Sequence, residues 1–123
     1  MSIQLDMPTA ETSFCLHTAQ DAAKLSNDKL QTGAVIWDLK TKSIIATATG
    51  TSIHPELIAL KHVSWFNFHP LALILTHSPC AECAFVISHS RIKRVYFQNL
   101  LNAAPGLALL KANNIPALRL VYG

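Results

Sequence analysis

The stretch LALILTHSPCAECAFVISHSRIKRVYF, residues 71–97, decides the fold. Leu71–Thr76 is a short apolar run of the kind that forms a strand buried on both faces. Pro79 suits the first turn of a helix, where its missing N–H would be unpaired in any case, and the helix is expected from Cys80 to about His89. Arg94–Phe97 then returns as a strand. A strand, a helix and a strand in this order build parallel neighbours joined by a right-handed crossover. The unit recurs downstream: Ala104–Asn113 reads as a helix ending near Asn113 and Asn114, and Pro116 precedes a last strand, Ala117–Tyr122. A helix rather than a tight turn joins those strands, so the last should lie parallel to the one before it.

Upstream, Thr9–Leu30 reads as a helix with a broad apolar stripe of Phe14, Leu16, Ala19, Ala22, Ala23 and Leu25 and with Thr9 or Thr12 as cap. Gly33–Leu39 is apolar on both faces and reads as a buried strand. Asp38–Lys42 is a polar turn, and Ser43–Thr49 completes a hairpin. Pro55 opens a further helix, expected to reach about Phe66, with Leu57, Ile58, Leu60 and Val63 turned inward. Together these elements predict an α/β protein: a three-layer α/β/α sandwich around a five-stranded mixed sheet whose last strand is parallel.

Half of the 123 residues are hydrophobic and only 14% are charged, against about a quarter charged in an average soluble domain. One domain, residues 1–123, is expected, with a real core or a self-associating surface rather than disorder. No apolar run approaches the roughly 18 to 20 residues of a membrane-spanning helix. Met1–Met7 lacks the basic-then-apolar layout of a secretory signal, so a cytoplasmic location without a membrane partner is expected. The net charge of +3 is spread along the chain and clusters only at Arg91, Lys93 and Arg94. That balance accommodates a phosphorylated small substrate and falls short of the basic stripe usual in proteins that wrap nucleic acid. Three cysteines do not make a disulfide framework, and Cys15 reads as a small buried core residue.

Two short motifs carry chemistry: His54-Pro55-Glu56 at one helix start, and Pro79-Cys80-Ala81-Glu82-Cys83 at another. A catalytic zinc takes three protein ligands and keeps a fourth position for water. One imidazole, His54, and two thiolates, Cys80 and Cys83, make such a set. The two cysteines stand one helical turn apart, so both sulfurs can face one point, and a helix N-terminus favours their negative charge. Glu56, two residues past His54, is close without being a ligand. Zinc lowers the pKa of a coordinated water from near 16 to about 7, and a neighbouring carboxylate can move that water's protons to a ring nitrogen and to a departing amine. Other readings of the pair remain. A C-x-x-C can be a redox couple, or half of a closed structural site whose fourth ligand comes from His62, His69, His77 or His89, with His77 the nearest rival in sequence.

These residues resemble the cytidine and deoxycytidylate deaminase superfamily, which includes tRNA adenosine deaminases and polynucleotide cytidine deaminases and carries the zinc signature H-x-E…P-C-x-x-C. Thr32–Asp38 is similar to the family's first strand, His54–Leu60 to its first metal helix and Ser78–Cys83 to its second. Gly106–Ile115 is similar to the helix and turn before the last strand in deoxycytidylate deaminases. The resemblance implies Zn2+ as cofactor, the three-layer fold, a homo-oligomer, and Glu56 as the catalytic proton carrier. Two positions depart from the family pattern. Pro55 stands where a small residue usually offers its N–H to the base. Gly50-Thr51-Ser52-Ile53 stands where an asparagine often contacts the sugar, so Thr51 or Ser52 takes that role in this reading.

Three functions are expected in descending order. The first is hydrolytic deamination of a small cytosine-type nucleotide or nucleoside, with deoxycytidylate the best single substrate. The second is base editing in nucleic acid, where Trp65, Phe66, Phe68 and Phe85 could stack on bases, although such aromatics on helices more often serve a core or a subunit interface. With the last strand expected to close near Gly123, the additional C-terminal helix of tRNA-editing relatives is not expected, which favours the first. The third is a non-catalytic zinc domain, against which Glu56 argues. Gly33 and Ala34 either floor the pocket or serve strand packing. Ser78 either contacts the base amine or the water, or caps a helix.

Overall fold

The computed structural model describes residues 7, 9–26, 31–50, 54–63, 69–100 and 105–120, with Glu56 described by its backbone alone. Its elements run α1 (Thr9–Ala23), β1 (Gly33–Asp38), β2 (Ser43–Thr49), α2 (Pro55–Lys61), β3 (Leu71–His77), α3 (Ala81–Ser88), β4 (Ile92–Asn99), α4 (Pro105–Ala112) and β5 (Ala117–Arg119). The sheet order is β2-β1-β3-β4-β5. β1 pairs antiparallel with both β2 and β3, whereas β3–β4 and β4–β5 are parallel. This is the expected mixed sheet with its last strand parallel.

Strand alternation sorts the core into two layers. Val35, Trp37, Ala72, Ile74 and Tyr96 point to one face and pack with Cys15, Leu16 and Ala19 of α1. Ala34, Ile36, Leu71, Leu73, Leu75, Val95 and Phe97 point to the other and pack with Ala59, Ala84, Ile87 and Leu110 of α2, α3 and α4. The second layer is rich in alanine where helix meets sheet: Ala34, Ala46, Ala48, Ala59 and Ala84 are all buried. Small side chains at these contacts let α2 and α3 approach the sheet closely.

The helices are shorter than the sequence pattern predicts. α1 ends at Ala23 rather than Leu30; of its expected continuation, residues 27–30 lie outside the described residues. Thr49 Oγ1 donates to the carbonyl of Ala22 (2.8 Å). The next amides turn back by three residues, Leu25 N to Ala22 O at 3.2 Å and Ser26 N to Ala23 O at 3.0 Å. Ser26 Oγ then donates to Gly50 O (2.7 Å), which ties the chain to the end of β2. Phe14 and Leu25, placed by periodicity in the buried stripe, are 57% and 76% exposed. The buried stripe is Thr12, Cys15, Leu16, Ala19 and Ala23. α2 likewise closes at Lys61 with His62 as its C-cap; residues 64–66 of its expected extension lie outside the described residues. Leu57, Ile58, Leu60 and Val63 are half-buried, and among the described residues of α2 Pro55 and Ala59 are buried.

β4 is longer at both ends than expected. Its early residues are charged, but Lys93 falls at a register shift between the Leu71–Ile92 and Ala72–Arg94 pairs. A bulge absorbs the extra residue without costing the ladder on either side. In β5, described over Ala117–Arg119, the expected end at 121–122 lies outside the described residues.

Gly33 has a packing reason. A Cβ there would lie 2.9 Å from Ala23 N and closer still to the carbonyl oxygen of Ala19. Gly33→Ala should therefore lower stability by about 1–3 kcal/mol through overpacking, outweighing the ~0.5–1 kcal/mol that alanine gains over glycine in a strand. A urea midpoint at or above the parent's would contradict this.

At the far end of β1, the buried Asp38 accepts from Lys40 N (2.9 Å) and Thr41 N (3.0 Å), which shapes the hairpin turn, and its other oxygen meets His69 Nδ1 at 2.7 Å. Burial pushes the carboxyl up, but the His69 hydrogen bond and the two backbone donors outweigh it and hold Asp38 below its ordinary 3.8. A lowered folded pKa contributes stability above the ordinary value, and that stability drains away as pH falls through the folded value. The stability gap between the parent and Asp38→Asn should therefore be largest above about pH 4 to 5 and narrow toward pH 2 in acid titrations of unfolding.

Candidate metal centre

The parallel β3–α3–β4 unit delivers two of the three site residues. β3 ends at His77, and Ser78-Pro79 carries the chain to Cys80, the N-cap of α3 with extended backbone (φ −76°, ψ 174°). Cys83, one turn on, donates its backbone N–H to Cys80 Sγ at 3.4 Å, so the capping group is itself a sulfur. The third residue arrives from α2. His54 is the N-cap there, also extended (φ −63°, ψ 141°), makes no side-chain cap bond, and is followed by Pro55 in the first helical position. Both helix starts sit on the second core layer through Ala59 and Ala84.

The three side chains converge. His54 Nδ1 lies 3.0 Å from Cys83 Sγ and 3.3 Å from Cys80 Sγ, and the two sulfurs are 3.3 Å apart. That spacing is well beyond the ~2.05 Å of a disulfide, and all three cysteines are free. Zinc bonds of about 2.3 Å to sulfur and 2.0 Å to nitrogen at tetrahedral angles place donors roughly 3.5–3.8 Å apart. The observed triangle is a few tenths of an ångström tighter, within reach of small side-chain rotations. One imidazole and two thiols thus form a group positioned to bind a metal ion. The triangle is graded in burial, with His54 exposed, Cys80 half-buried and Cys83 buried. Protein closes one side and solvent reaches the other.

No other described His, Cys, Asp or Glu side chain joins this group. His77, the nearest rival, turns Nδ1 to Thr76 Oγ1 (2.9 Å), and burial pulls its pKa below 6.5. His69 is held by Asp38. His89 lies against the carbonyl of Phe85 (2.9 Å), its ring 4.5 Å from the Phe85 ring. The redox reading also weakens, since an imidazole distant in sequence meets both sulfurs.

With this geometry in view, residues 9–99 match the family model of the cytidine and deoxycytidylate deaminase zinc-binding region. The chain belongs to that family. The tRNA-specific adenosine deaminase of Rickettsia bellii is 31% identical over 83 residues, covering 58% of this chain and 57% of that protein. The protein of the same name from Rickettsia felis is 32% identical over 89 residues, covering 63% and 62%. The chain thus spans about three-fifths of the length of these relatives. Among crystal structures, the apo dCMP deaminase of cyanophage S-TIM5 superposes with a TM-score of 0.82 at 23% identity, covering 93% of this chain and all of that one. Acinetobacter baumannii RibD superposes with a TM-score of 0.78 at 20% identity, over 89% of this chain and 35% of that chain. These likenesses establish the deaminase fold, and the family supplies zinc as the cofactor that the His-Cys-Cys group is positioned to hold.

The remaining candidates fall as follows. Glu56 is the second residue of α2, in the first turn beside His54; its side chain lies outside the described structure. Thr51 and Ser52 lie outside the described residues. Ala34 is fully buried on the sheet face that carries α2 and α3. Strand alternation turns Gly33 to the α1 face, where its lack of a side chain is taken up by Ala19 and Ala23, in keeping with the strand-packing alternative of its two readings. Ser78 is buried, and its N–H donates to Asn99 O (2.8 Å). Cys15 is buried, and that burial, with the nearby Glu11 charge, pushes its thiol up to about 12, which suits an inert core residue. Asn99 is a residue that motif reading missed. It holds Ser78 through its carbonyl, and its Nδ2 donates to Thr76 O (2.9 Å). No sequence signal marks it, because it reaches the metal loop only through strand pairing.

If these three residues are the ligands, purified protein should carry one zinc per chain, and His54→Ala, Cys80→Ser and Cys83→Ser should each weaken zinc about 100-fold or more, beyond the loss usual for outer-shell changes. Retention of zinc at parental affinity in Cys83→Ser, read by chelator competition, would refute the assignment.

Proposed function

We propose that the chain is a zinc-dependent hydrolytic deaminase acting on a cytosine-type nucleotide or nucleoside, with His54, Cys80 and Cys83 as metal ligands and Glu56 as the proton carrier. The observation that carries this reading is the convergence of one imidazole and two sulfurs at two helix starts, with a carboxylate residue two positions past the imidazole. When bound, the ion supplies the Lewis acidity that lets water act as a nucleophile near neutral pH. The chain's own residues do the rest. Glu56 takes a proton from the attacking water and gives it to the ring nitrogen beside the amine-bearing carbon. It then passes the second proton to the exocyclic nitrogen, which leaves as ammonia while the carbon keeps the oxygen as a carbonyl. Pro55 is buried and has no N–H, so the base must be oriented by other donors.

A small substrate is favoured by the position of the basic cluster. Arg91, Lys93 and Arg94 stand at the start of β4, whereas the metal group stands beyond the ends of β3 and β4. At about 3.3 Å per residue the two are roughly 20 Å apart, too far to anchor the phosphates flanking a base in the pocket. A second reading, adenosine in tRNA, is favoured by the names of the Rickettsia relatives. In that case flanking-strand contacts come from other parts of the surface.

Assays of ammonia release from cytidine, CMP, dCMP and adenosine, beside inosine formation in tRNA, separate the two. Turnover of a free cytosine compound is expected, and turnover of tRNA alone would transfer the function to the second reading. Glu56→Gln should cut kcat by about 10²–10⁴-fold while leaving bound zinc unchanged; undiminished turnover would remove Glu56 from its role.

A further inference from the structure

Gly106, in the first turn of α4, is buried. A side chain has no room there. A Cβ would lie 2.7 Å from the carbonyl oxygen of Cys80 and 2.9 Å from its carbonyl carbon, and closer still to the carbonyl oxygen of Pro79. All three are backbone atoms, which cannot swing aside as the tip of a flexible side chain can. The Cys80 carbonyl also accepts the N–H of Ala84 (2.9 Å), which starts α3, and the same residue carries the sulfur 3.3 Å from both His54 Nδ1 and Cys83 Sγ. On the other side, Ser78 N donates to Asn99 O (2.8 Å). The segment Ser78–Cys80 is thus held between the end of β4 and the start of α4, and Leu110, fully buried one turn on, anchors α4 in the core.

We propose that Gly106 is a positioning residue for the metal centre. By admitting α4 onto the Pro79 and Cys80 carbonyls, it sets where Cys80 Sγ stands relative to His54 and Cys83. This rests on the ligand assignment made above. Helix propensity argues in the opposite direction, because alanine is the better helix former. A Gly106 that only made room for α4 would cost stability on substitution by alanine and leave zinc affinity and the cobalt spectrum of the folded protein unchanged.

The test compares the parent, Gly106→Ala and the exposed same-helix control Ala108→Ser. Zinc affinity is read by chelator competition, and geometry by the visible absorption of the cobalt(II)-loaded proteins. Folded Gly106→Ala should bind zinc about 10-fold more weakly, the loss typical of a disturbed supporting shell, with a shifted cobalt spectrum, while Ala108→Ser matches the parent. A folded Gly106→Ala with a loss under about threefold and an unchanged spectrum overturns the proposal. If circular dichroism shows that Gly106→Ala does not fold, Leu110→Val decides, because it loosens the same helix seat without adding bulk. Zinc binding at least about threefold weaker then upholds the proposal, and a smaller change overturns it. A parent that binds no zinc refutes the ligand assignment instead.

Discussion

At the junction of β3 and α3, one residue begins a helix and offers a sulfur to a shared point. Cys80 sits with extended backbone at the N-cap, accepts the N–H of Cys83 on its sulfur, and gives its carbonyl to the first hydrogen bond of α3. An N-cap residue has a side chain aimed back over the helix start, and the residue one turn later points the same way. The pairing of Cys80 with Cys83 therefore needs no special geometry beyond a helix that starts where it does. Pro79 and the end of β3 fix that start, so the rest of the centre depends on the parallel unit being built correctly.

His54 reaches the same point by an independent route. Its helix rests on β1 and β2 rather than on β4, and it is brought close because alanines line the contact. Larger side chains at Ala34, Ala59 or Ala84 would lift α2 or α3 from the sheet and widen the triangle. The apolar core and the polar centre are thus one construction: close helix–sheet packing on one face sets donor distances at the edge of that face. The opposite face follows the same logic with a different element. Gly33 and the small residues of α1 let that helix lie flat on the sheet, and the two layers enclose strands that are buried on both sides.

Burial is graded through the triangle rather than uniform. Cys83 is enclosed and His54 faces solvent, so the His54 side is the open side of the triangle among the described residues. The basic cluster stands at the start of β4, and the strand's own length separates it from the centre. Among the described residues, no helix is long and apolar enough to cross a membrane.

Much of this was legible in the residues alone. Element order, the hairpin, the parallel connection through α3 and the pairing of His54-Pro55-Glu56 with Pro79-Cys80-Ala81-Glu82-Cys83 all follow from local signals: periodicity, proline position and the spacing of metal-binding side chains. What sequence could not decide were the quantities set by neighbours distant in the chain. α1 stops at Ala23, where Thr49 takes up the Ala22 carbonyl and Ser26 ties the chain to the Gly50 carbonyl, and Phe14 and Leu25 stay exposed because no described element covers that side of the helix. Gly33 could have faced either way, and only the pairing of β1 with its neighbours turned it toward α1. Asn99 and Gly106 support the metal loop through a ladder and a helix seat separated from it by 16 residues or more. A local pattern encodes which chemistry the side chains offer. Where they meet is decided by tertiary packing, because burial and close approach are properties of pairs of elements rather than of any one stretch.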